Sequence, residues 1–316
     1  IRGVAAKVDY PLVYVNTPDY EGGLESGWAL TCQALIEQLV QEDTDIDAKK
    51  VVILPHVSLQ PIEVEKIKQT CEAFGFTAFA LPDLSTSLDG HLGEKQSALS
   101  SGGISVDEIK ELGDATLVLS IGDSMQKSAT ALLKKNPQMR HHHFSHLGGL
   151  EASDALIEIL MQESGIELPQ PAIVRWRKRL QDAMLDSHFS LGQTRCLVVG
   201  EPDQLASACQ SLYEAGGRVT VAISTVDSSQ LEKLPADRVL VGDLEDAEQL
   251  ADEYDLIVGN FHCEALAHRL HKGLVLRGFP NWEQVGNSLK NDILYEGGAY
   301  FLFECANAAN AMRHAG

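Results

Sequence analysis

The chain has 316 residues, of which 44% are hydrophobic and 22% charged, and 45 acidic against 25 basic side chains give it a net charge of −20. This is the composition of a globular protein with large cores, and its negative surface argues against nonspecific binding to nucleic acid or anionic membranes. No apolar run approaches the roughly 20 residues of a membrane span and no signal peptide is visible, so we expect a cytoplasmic protein.

The six cysteines are scattered along the chain, and no pair has the CxxC spacing of a metal site. Most lie within apolar helix or strand patterns, which predicts buried free thiols and a reducing compartment. They are Cys32, Cys71, Cys196, Cys209, Cys263 and Cys305.

The first block, residues 1–48, contains a strand predicted at Pro11–Val15 and a helix predicted at Ser26–Gln41. The stretch "NTPDYEGGLESGWALTC" connects them, in the arrangement that nucleotide enzymes use to bind a phosphate. It lacks the GxxxxGK[ST] pattern of a P-loop and carries three carboxylates that repel phosphate, so we interpret it as a structural turn with Ser26 as helix N-cap. The block is too small for a domain, and the chain opens at Ile1 without Met. We therefore expect it to be the remainder of an N-terminal α/β domain.

The second block, residues 49–168, alternates strands and helices, which predicts a parallel sheet covered on both faces. Its strands are predicted at "VVIL", "FTAFALPD" and "ATLVLSIG". Its helices are predicted at Pro61–Phe74, Val106–Leu112, Ser124–Lys134 and Leu150–Glu163. The long polar stretch Leu84–Ser105 is a candidate functional or mobile loop.

The third block, residues 169–316, starts with a long connector helix from Pro171. Five strands follow, with helical segments predicted at Asp203–Ala215, Ser228–Leu234 and Asp246–Glu253. This order predicts a doubly wound α/β domain. Gly200 follows the first of these strands without a GxGxxG pattern, and the next strand ends without an acid for a ribose, which argues against a nicotinamide enzyme.

One candidate site is the loop "LPDLSTSLDGHL", which follows a predicted strand. It brings together Asp83, Ser85, Ser87, Asp89 and His91. These residue types suit a Ser/His/Asp site, but no GxSxG nucleophile elbow is present. A loop that hydrogen-bonds to itself is the favoured interpretation.

A second candidate is "VGNFHC", where Asn260, His262 and Cys263 end a strand of the third block. Histidine serves as a metal ligand or as an acid/base near neutral pH, and in a loop it is more often simply hydrogen-bonded. "HHHFSH" at His141–His146 favours a surface loop over a metal site, because adjacent residues of a strand point to opposite faces. "RWRKR" at Arg175–Arg179 reads as the solvated face of the connector helix or as a contact for an acidic partner.

Taken in order, several strings resemble the nitrogenase component 1 family, and within it the β-type subunits of the scaffold for the iron–molybdenum cofactor. "NTPDYEGGLESGWA", "LPDLSTSLDGHL", "GGLEASDALIEIL", "RKRLQDAMLDSHFSLG", "IVGNFH" and "LRGFPNWEQVG" carry the resemblance. The resemblance covers nearly the whole chain. It implies consecutive doubly wound, Rossmann-like parallel-sheet domains without a dinucleotide fingerprint.

The resemblance further implies a scaffold subunit without bond-making chemistry of its own, which pairs with a NifE-like subunit in a heterotetramer. A NifB-type enzyme would donate the cofactor precursor, and the nitrogenase iron protein would interact with the assembly. An iron–sulfur cluster and the precursor would reside in the assembled complex. None of the six cysteines matches a ligand position of the family. We therefore expect no catalytic residue and no metal ligand in this chain.

Two alternatives stay open from the sequence. One is a catalytic nitrogenase β subunit of the same family. The other is an independent α/β small-molecule-binding protein or reductase with a site at His262 or at the Asp83–His91 loop.

Overall fold

The computed structural model describes residues 10–42, 45–93 and 101–315. The chain divides into two compact units. The first comprises Ile1–Val57 and Val64–Phe144, and the second comprises Ser58–Glu63 and Ser145–Gly316. The middle domain expected from the sequence reaches residue 168, whereas the second unit already includes the chain from Ser145 onward.

The first unit contains a four-stranded parallel sheet in the order β2-β1-β3-β4. The strands are β1 (Asp47–Pro55), β2 (Thr77–Ala80), β3 (Ala115–Ile121) and β4 (Arg140–Phe144). The helices that begin before or between them are α1 (Leu24–Leu39), α2 (Pro61–Ala73), α3 (Val106–Lys110) and α4 (Gln126–Leu133).

Strands β1 and β3 lie in the middle of this sheet. After the exposed start of β1 at Asp47 to Lys49, both strands are buried and largely apolar, because helices cover them on two faces. All seven residues of β3 are buried. Apolar side chains of α1 and α4, including Ile36 and Leu132, form one core with Val52 and Val118 of these strands.

Two expectations for the start of the chain are wrong. Residues 11–15 form no strand, and the N–H and C=O of Tyr14 instead bond the side-chain amide of Gln38 at 2.9 and 2.8 Å. Ser26 is not the N-cap. The cap is Gly23, and Ser26 lies in the first turn, where its hydroxyl accepts a hydrogen bond from the Gly23 N–H at 2.9 Å.

The second unit contains a five-stranded parallel sheet in the order β7-β6-β5-β8-β9, as the doubly wound prediction requires. Its strands are β5 (Arg195–Gly200), β6 (Arg218–Ser224), β7 (Ala236–Val241), β8 (Leu256–Gly259) and β9 (Gly273–Leu276). Its helices are α5 (Gly149–Ser164), α6 (Pro171–Leu191), α7 (Pro202–Glu214), α8 (Leu244–Gln249), α9 (Cys263–Leu270) and α10 (Leu294–Ala315).

The core of this unit lies between its sheet and the helices packed on it. Leu197, Val221 and Ile257 of the strands contact Leu266 of α9, and all four are buried. The long helices α6 and α10 pack along each other. Leu180 of α6 lies close to Gly298 of α10, where a Cβ would approach it to 3.3 Å.

Three elements differ from the sequence expectation. "HHHFSH" is not a surface loop, because Arg140–Phe144 forms the edge strand β4. The helix expected at Ser228–Leu234 is a single 3₁₀ turn, Leu231–Lys233. Helix α10, which the sequence analysis did not predict, begins at Leu294 with a φ of 57°. In the part of the chain that the structure describes, no helix combines the length and apolar character needed to cross a bilayer.

Candidate functional site

The carboxyl ends of β5 and β8 mark the point where strand order reverses in the second unit, which is where ligands bind in open α/β sheets. Asn260 follows β8 and ties two loops together, since its side-chain amide donates to the Phe279 carbonyl at 2.9 Å. The Phe261 N–H donates to the Pro280 carbonyl at 3.0 Å. The "VGNFH" and "RGFPNW" strings therefore form one surface.

Aromatic rings dominate that surface. The ring of His262 meets Trp282 edge-on at 5.7 Å, and Phe261 lies 6.0 Å from Trp282. Trp282 is 70% exposed and Phe279 60% exposed. His262 was a candidate from the sequence, whereas these aromatic residues were not, although "GFPNW" directly after a strand signals them. Exposed aromatic side chains of this kind are suited to binding.

The space beside β5 does not suit a phosphate. The side chain of Gln204 occupies it, and a Cβ added at Gly200 or Gly278 would lie within 2.5 Å of the Gln204 carboxamide. Helix α7 also begins with the acids Glu201 and Asp203, which oppose an anion at the positive end of the helix. The filled space and the acids at the start of the helix agree with the lack of a GxGxxG pattern in the sequence, and both argue against a dinucleotide site here.

The loop after β2 in the first unit is held by internal hydrogen bonds. Asp83 is buried and forms an ion pair with Lys68 at 2.6 Å. Its other oxygen accepts the hydroxyl of Ser85 at 2.6 Å and the N–H of the same residue at 2.9 Å. The Ser87 hydroxyl donates to the Asp83 carbonyl at 2.9 Å. These contacts form a rigid turn in which the hydroxyls already have partners.

His91 is not brought to Asp83 or Ser85. Its Nδ1 bonds Asp89 at 2.6 Å, and its Nε2 faces the Ser101 hydroxyl at 3.3 Å. The hydrogen bond from His91 lowers the pKa of the Asp89 carboxyl. Ser101, His91 and Asp89 thus follow the order of a nucleophile, a base and an acid. All three lie near solvent and the serine contact of 3.3 Å is long, so they form no enclosed catalytic site.

A second serine, histidine and aspartate meet in a more buried place, between β3 and β4. Ser120 Oγ lies 3.0 Å from His143 Nδ1 and 2.8 Å from His141 Nε2, and His143 Nε2 lies 2.8 Å from Asp123. His141 and His143 share one face of the strand, as alternation requires. Burial, together with its neighbouring histidines, lowers the pKa of His141.

This arrangement is structural rather than nucleophilic. Ser120 is the penultimate residue of β3 and has an exposed fraction of 0%, so its hydroxyl is closed off from a substrate in this structure. With Asp123 accepting from His143 Nε2, the Ser120 hydroxyl donates to His143 Nδ1 and accepts from His141 Nε2. Each polar group thus has a partner, which stabilises the edge of the sheet.

The cysteine thiols are buried, as the sequence predicts. Burial raises the pKa of the thiols of Cys32, Cys71, Cys196 and Cys263 to about 12. Such thiols stay protonated near neutral pH unless a metal ion or a nearby cation stabilises the thiolate. Across residues 10–42, 45–93 and 101–315, no group of three or more His, Cys, Asp or Glu side chains is placed to hold a metal ion. The residues described here therefore do not fit an iron–sulfur cluster as a ligand set.

A buried charged cluster was not foreseen from the sequence. Arg277, with 8% of its side chain exposed, forms ion pairs with Asp292 and with Glu304, the latter at 2.7 Å. Lys290 contacts Glu304 at 3.2 Å, and Glu63 accepts a hydrogen bond from the Asp292 N–H. Glu63 lies more than 200 residues before the others in the sequence, so no local motif predicts that these charges form a cluster.

Several known proteins are similar to this chain over nearly all of its 316 residues. A family model described as "Nitrogenase component 1 type Oxidoreductase" matches residues 1–310. Proteins named "Nitrogenase iron-molybdenum cofactor biosynthesis protein NifN" match at 36% identity in Rippkaea orientalis and 37% in Mesorhizobium japonicum. These matches cover 94% and 96% of this chain but 68% and 66% of the relatives. The chain thus spans about two thirds of the length of these relatives.

A solved structure titled "Nitrogenase Cp1 at pH 6.5" has the same fold. It superposes with a TM-score of 0.88 over 95% of this chain and 68% of its own. The sequence identity is 23%, so this similarity shows a shared fold and does not show a shared activity.

Proposed function

The chain belongs to the nitrogenase component 1 family, and from that membership we propose that it is a scaffold subunit for maturation of the nitrogenase iron–molybdenum cofactor. The observation that carries the proposal is the similarity to cofactor-biosynthesis proteins at 35% to 37% identity over 94% to 96% of this chain. The catalytic nitrogenase β subunit is the alternative, and it is favoured only by a fold likeness at 23% identity.

In the proposed assembly, the chain pairs with a NifE-like subunit in a cytoplasmic heterotetramer. The complex holds an iron–sulfur cluster and the cofactor precursor as cargo, receives the precursor from a NifB-type enzyme and interacts with the nitrogenase iron protein. The chain provides a folded surface and carries out no bond-making step. Buried thiols with raised pKa values, and hydroxyls that are already hydrogen-bonded, support this division of roles.

Within the chain, we assign the loop residues Asp83, Ser85, Ser87, Asp89 and His91 the role of fixing the shape of a surface. Asn260 and His262 shape the aromatic surface at the end of β8 in the same way. These residues position neighbouring groups and do not donate protons to a reaction. Substituting His262→Gln should therefore leave cofactor maturation intact.

Anaerobic co-expression with an affinity-tagged NifE-like subunit tests the proposal. We expect this chain to elute with the tagged subunit, and we expect the same of the full-length Mesorhizobium japonicum relative in a parallel expression. A chain that elutes alone, beside a relative that forms the complex, would contradict the proposal.

A further inference from the structure

An open groove of about 500 Å³ lies at the start of α6 in the second unit. Its walls are mainly the apolar side chains of Leu168, Pro169, Pro171 and Val174. Leu168 is 80% exposed and Val174 is 39% exposed. Exposed apolar side chains that line a concave surface mark a site where another apolar group binds.

Next to the groove lies an ion pair between Arg177 and Asp154 that several hydrogen bonds hold in place. A neighbouring cavity of about 200 Å³ shares Pro169 and Val174 with the groove, and Asp154, Arg177 and Tyr295 also line it. Arg177 binds Asp154 through two hydrogen bonds of 2.8 and 2.7 Å, and the Tyr295 hydroxyl donates to Asp154 at 2.6 Å. These contacts fix the shape of the groove beside them.

Two cations, Arg175 and Lys178, flank the groove and are exposed to solvent. Among the described residues, neither forms an ion pair with a carboxylate, although the chain carries an excess of 20 negative charges. Arg179 stacks on Trp176 and Arg313 bonds neutral groups, whereas six other arginines of this unit each pair with a carboxylate. These are Arg177, Arg195, Arg218, Arg238, Arg269 and Arg277.

We propose that this groove binds an acidic segment of another polypeptide. An apolar side chain of that segment enters between Leu168 and Val174, and its carboxylates contact Arg175 and Lys178. Charge complementarity selects this occupant, since the groove offers unpaired positive charge on an otherwise acidic protein. A small anion fits less well, because the cations are exposed at the rim and the walls between them are apolar.

Fluorescence anisotropy with a labelled peptide tests the proposal on the whole chain. The peptide carries Leu and Phe between two acidic residues on each side. We expect saturable binding that weakens as sodium chloride is raised. The double variant Arg175→Glu/Lys178→Glu should weaken binding about tenfold or more, and Leu168→Ser should weaken it severalfold.

A matched control is Lys127→Glu/Lys134→Glu, which reverses two exposed cations of the first unit and changes the net charge equally. Binding to this control should stay within about twofold of the unaltered chain. Circular dichroism should show that all variants retain the fold.

Several results would overturn the proposal. These are no peptide binding, equal losses in the test and control variants, or equally tight binding of a peptide with Ser in place of Leu and Phe. Competition by citrate would indicate a small-anion site instead. Sedimentation that shows self-association, abolished by the Arg175/Lys178 variant, would identify a second copy of this chain as the occupant.

Discussion

The carboxylate of Glu63 accepts a hydrogen bond from the backbone N–H of Asp292 at 2.8 Å, across 229 positions of the chain. Its second oxygen accepts the Gln60 N–H at 2.8 Å, and the Gln60 side chain accepts a hydrogen bond from Asn287 at 3.1 Å. These bonds explain why Ser58–Glu63 belongs to the second unit.

Glu63 should make the stability of the protein depend on pH. Burial, reinforced by the negative charge of Asp292, raises the pKa of Glu63 from 4.5 to about 8. A carboxyl with a raised pKa in the folded state stabilises the fold below its unfolded pKa, and this contribution is lost as pH rises through the folded pKa. The free energy of unfolding should therefore fall between about pH 4.5 and 8, by up to about 1.4 kcal/mol per pH unit from this group.

The variant Glu63→Gln removes this titration, and urea unfolding at several pH values measures the result. We expect a flatter dependence on pH and a lower starting stability, because the amide nitrogen cannot accept a backbone N–H. Glu65→Gln on the same helix is the control, since among the residues with described positions Glu65 contacts only Gln69, whose side-chain amide donates to it at 2.7 Å. An unchanged slope in Glu63→Gln would show that Glu63 does not hold the proton.

Arg277 should contribute far more to stability than a surface arginine. Arg277→Met leaves Asp292 and Glu304 without their buried cation, which costs about 3–5 kcal/mol in comparable buried pairs. Arg269→Met, which removes an exposed pair with Glu248, should change the urea midpoint little. Equal effects of the two substitutions would contradict the role assigned to the buried cluster.

The thiols should be unreactive in the folded chain. Burial raises their pKa values, so few thiolates are available to attack a disulfide reagent. With Ellman's reagent we expect slow reaction in buffer and rapid reaction of all six cysteines in urea. The substitution Thr130→Cys places a thiol at an exposed position, and this thiol should react with Ellman's reagent at once. Rapid, stoichiometric reaction of the unaltered folded chain would contradict the buried assignment.

Ser120 should act as a structural link between two histidines. Ser120→Ala leaves His141 Nε2 and His143 Nδ1 without their shared partner, which should lower the free energy of unfolding by about 1–3 kcal/mol. Thr130→Ala, which removes an exposed hydroxyl on α4, is the control and should have little effect. Reaction of Ser120 with a fluorophosphonate probe in the folded chain would instead indicate a nucleophile.

The doubly wound fold could be predicted because each central strand is a short apolar run between helical patterns. "VVIL" and "LIVG" became β1 and β8 for this reason. Strand β4 was missed, since its three histidines carry no apolar signal, and the pairing of His141 and His143 with Ser120 depends on the neighbouring strand. Residues 11–15 are the opposite case, an apolar run that forms no strand.

The sites were less predictable than the fold. The turn at Asp83 and Ser85 is local, so the sequence was sufficient to predict a self-bonded loop. The cluster of Glu63, Arg277 and Asp292 joins positions far apart, and its burial is decided only when the second unit packs. The spacing of residues along the sequence does not indicate which distant positions will come into contact.

In the proposed scaffold, the cofactor precursor is cargo of the assembly and is not bound by this chain alone. Iron should therefore be measured in the anaerobically purified chain and in its complex with a NifE-like subunit. We expect substoichiometric iron in the isolated chain and abundant iron in the complex. Stoichiometric iron in the isolated chain, retained after treatment with a chelator, would contradict this expectation.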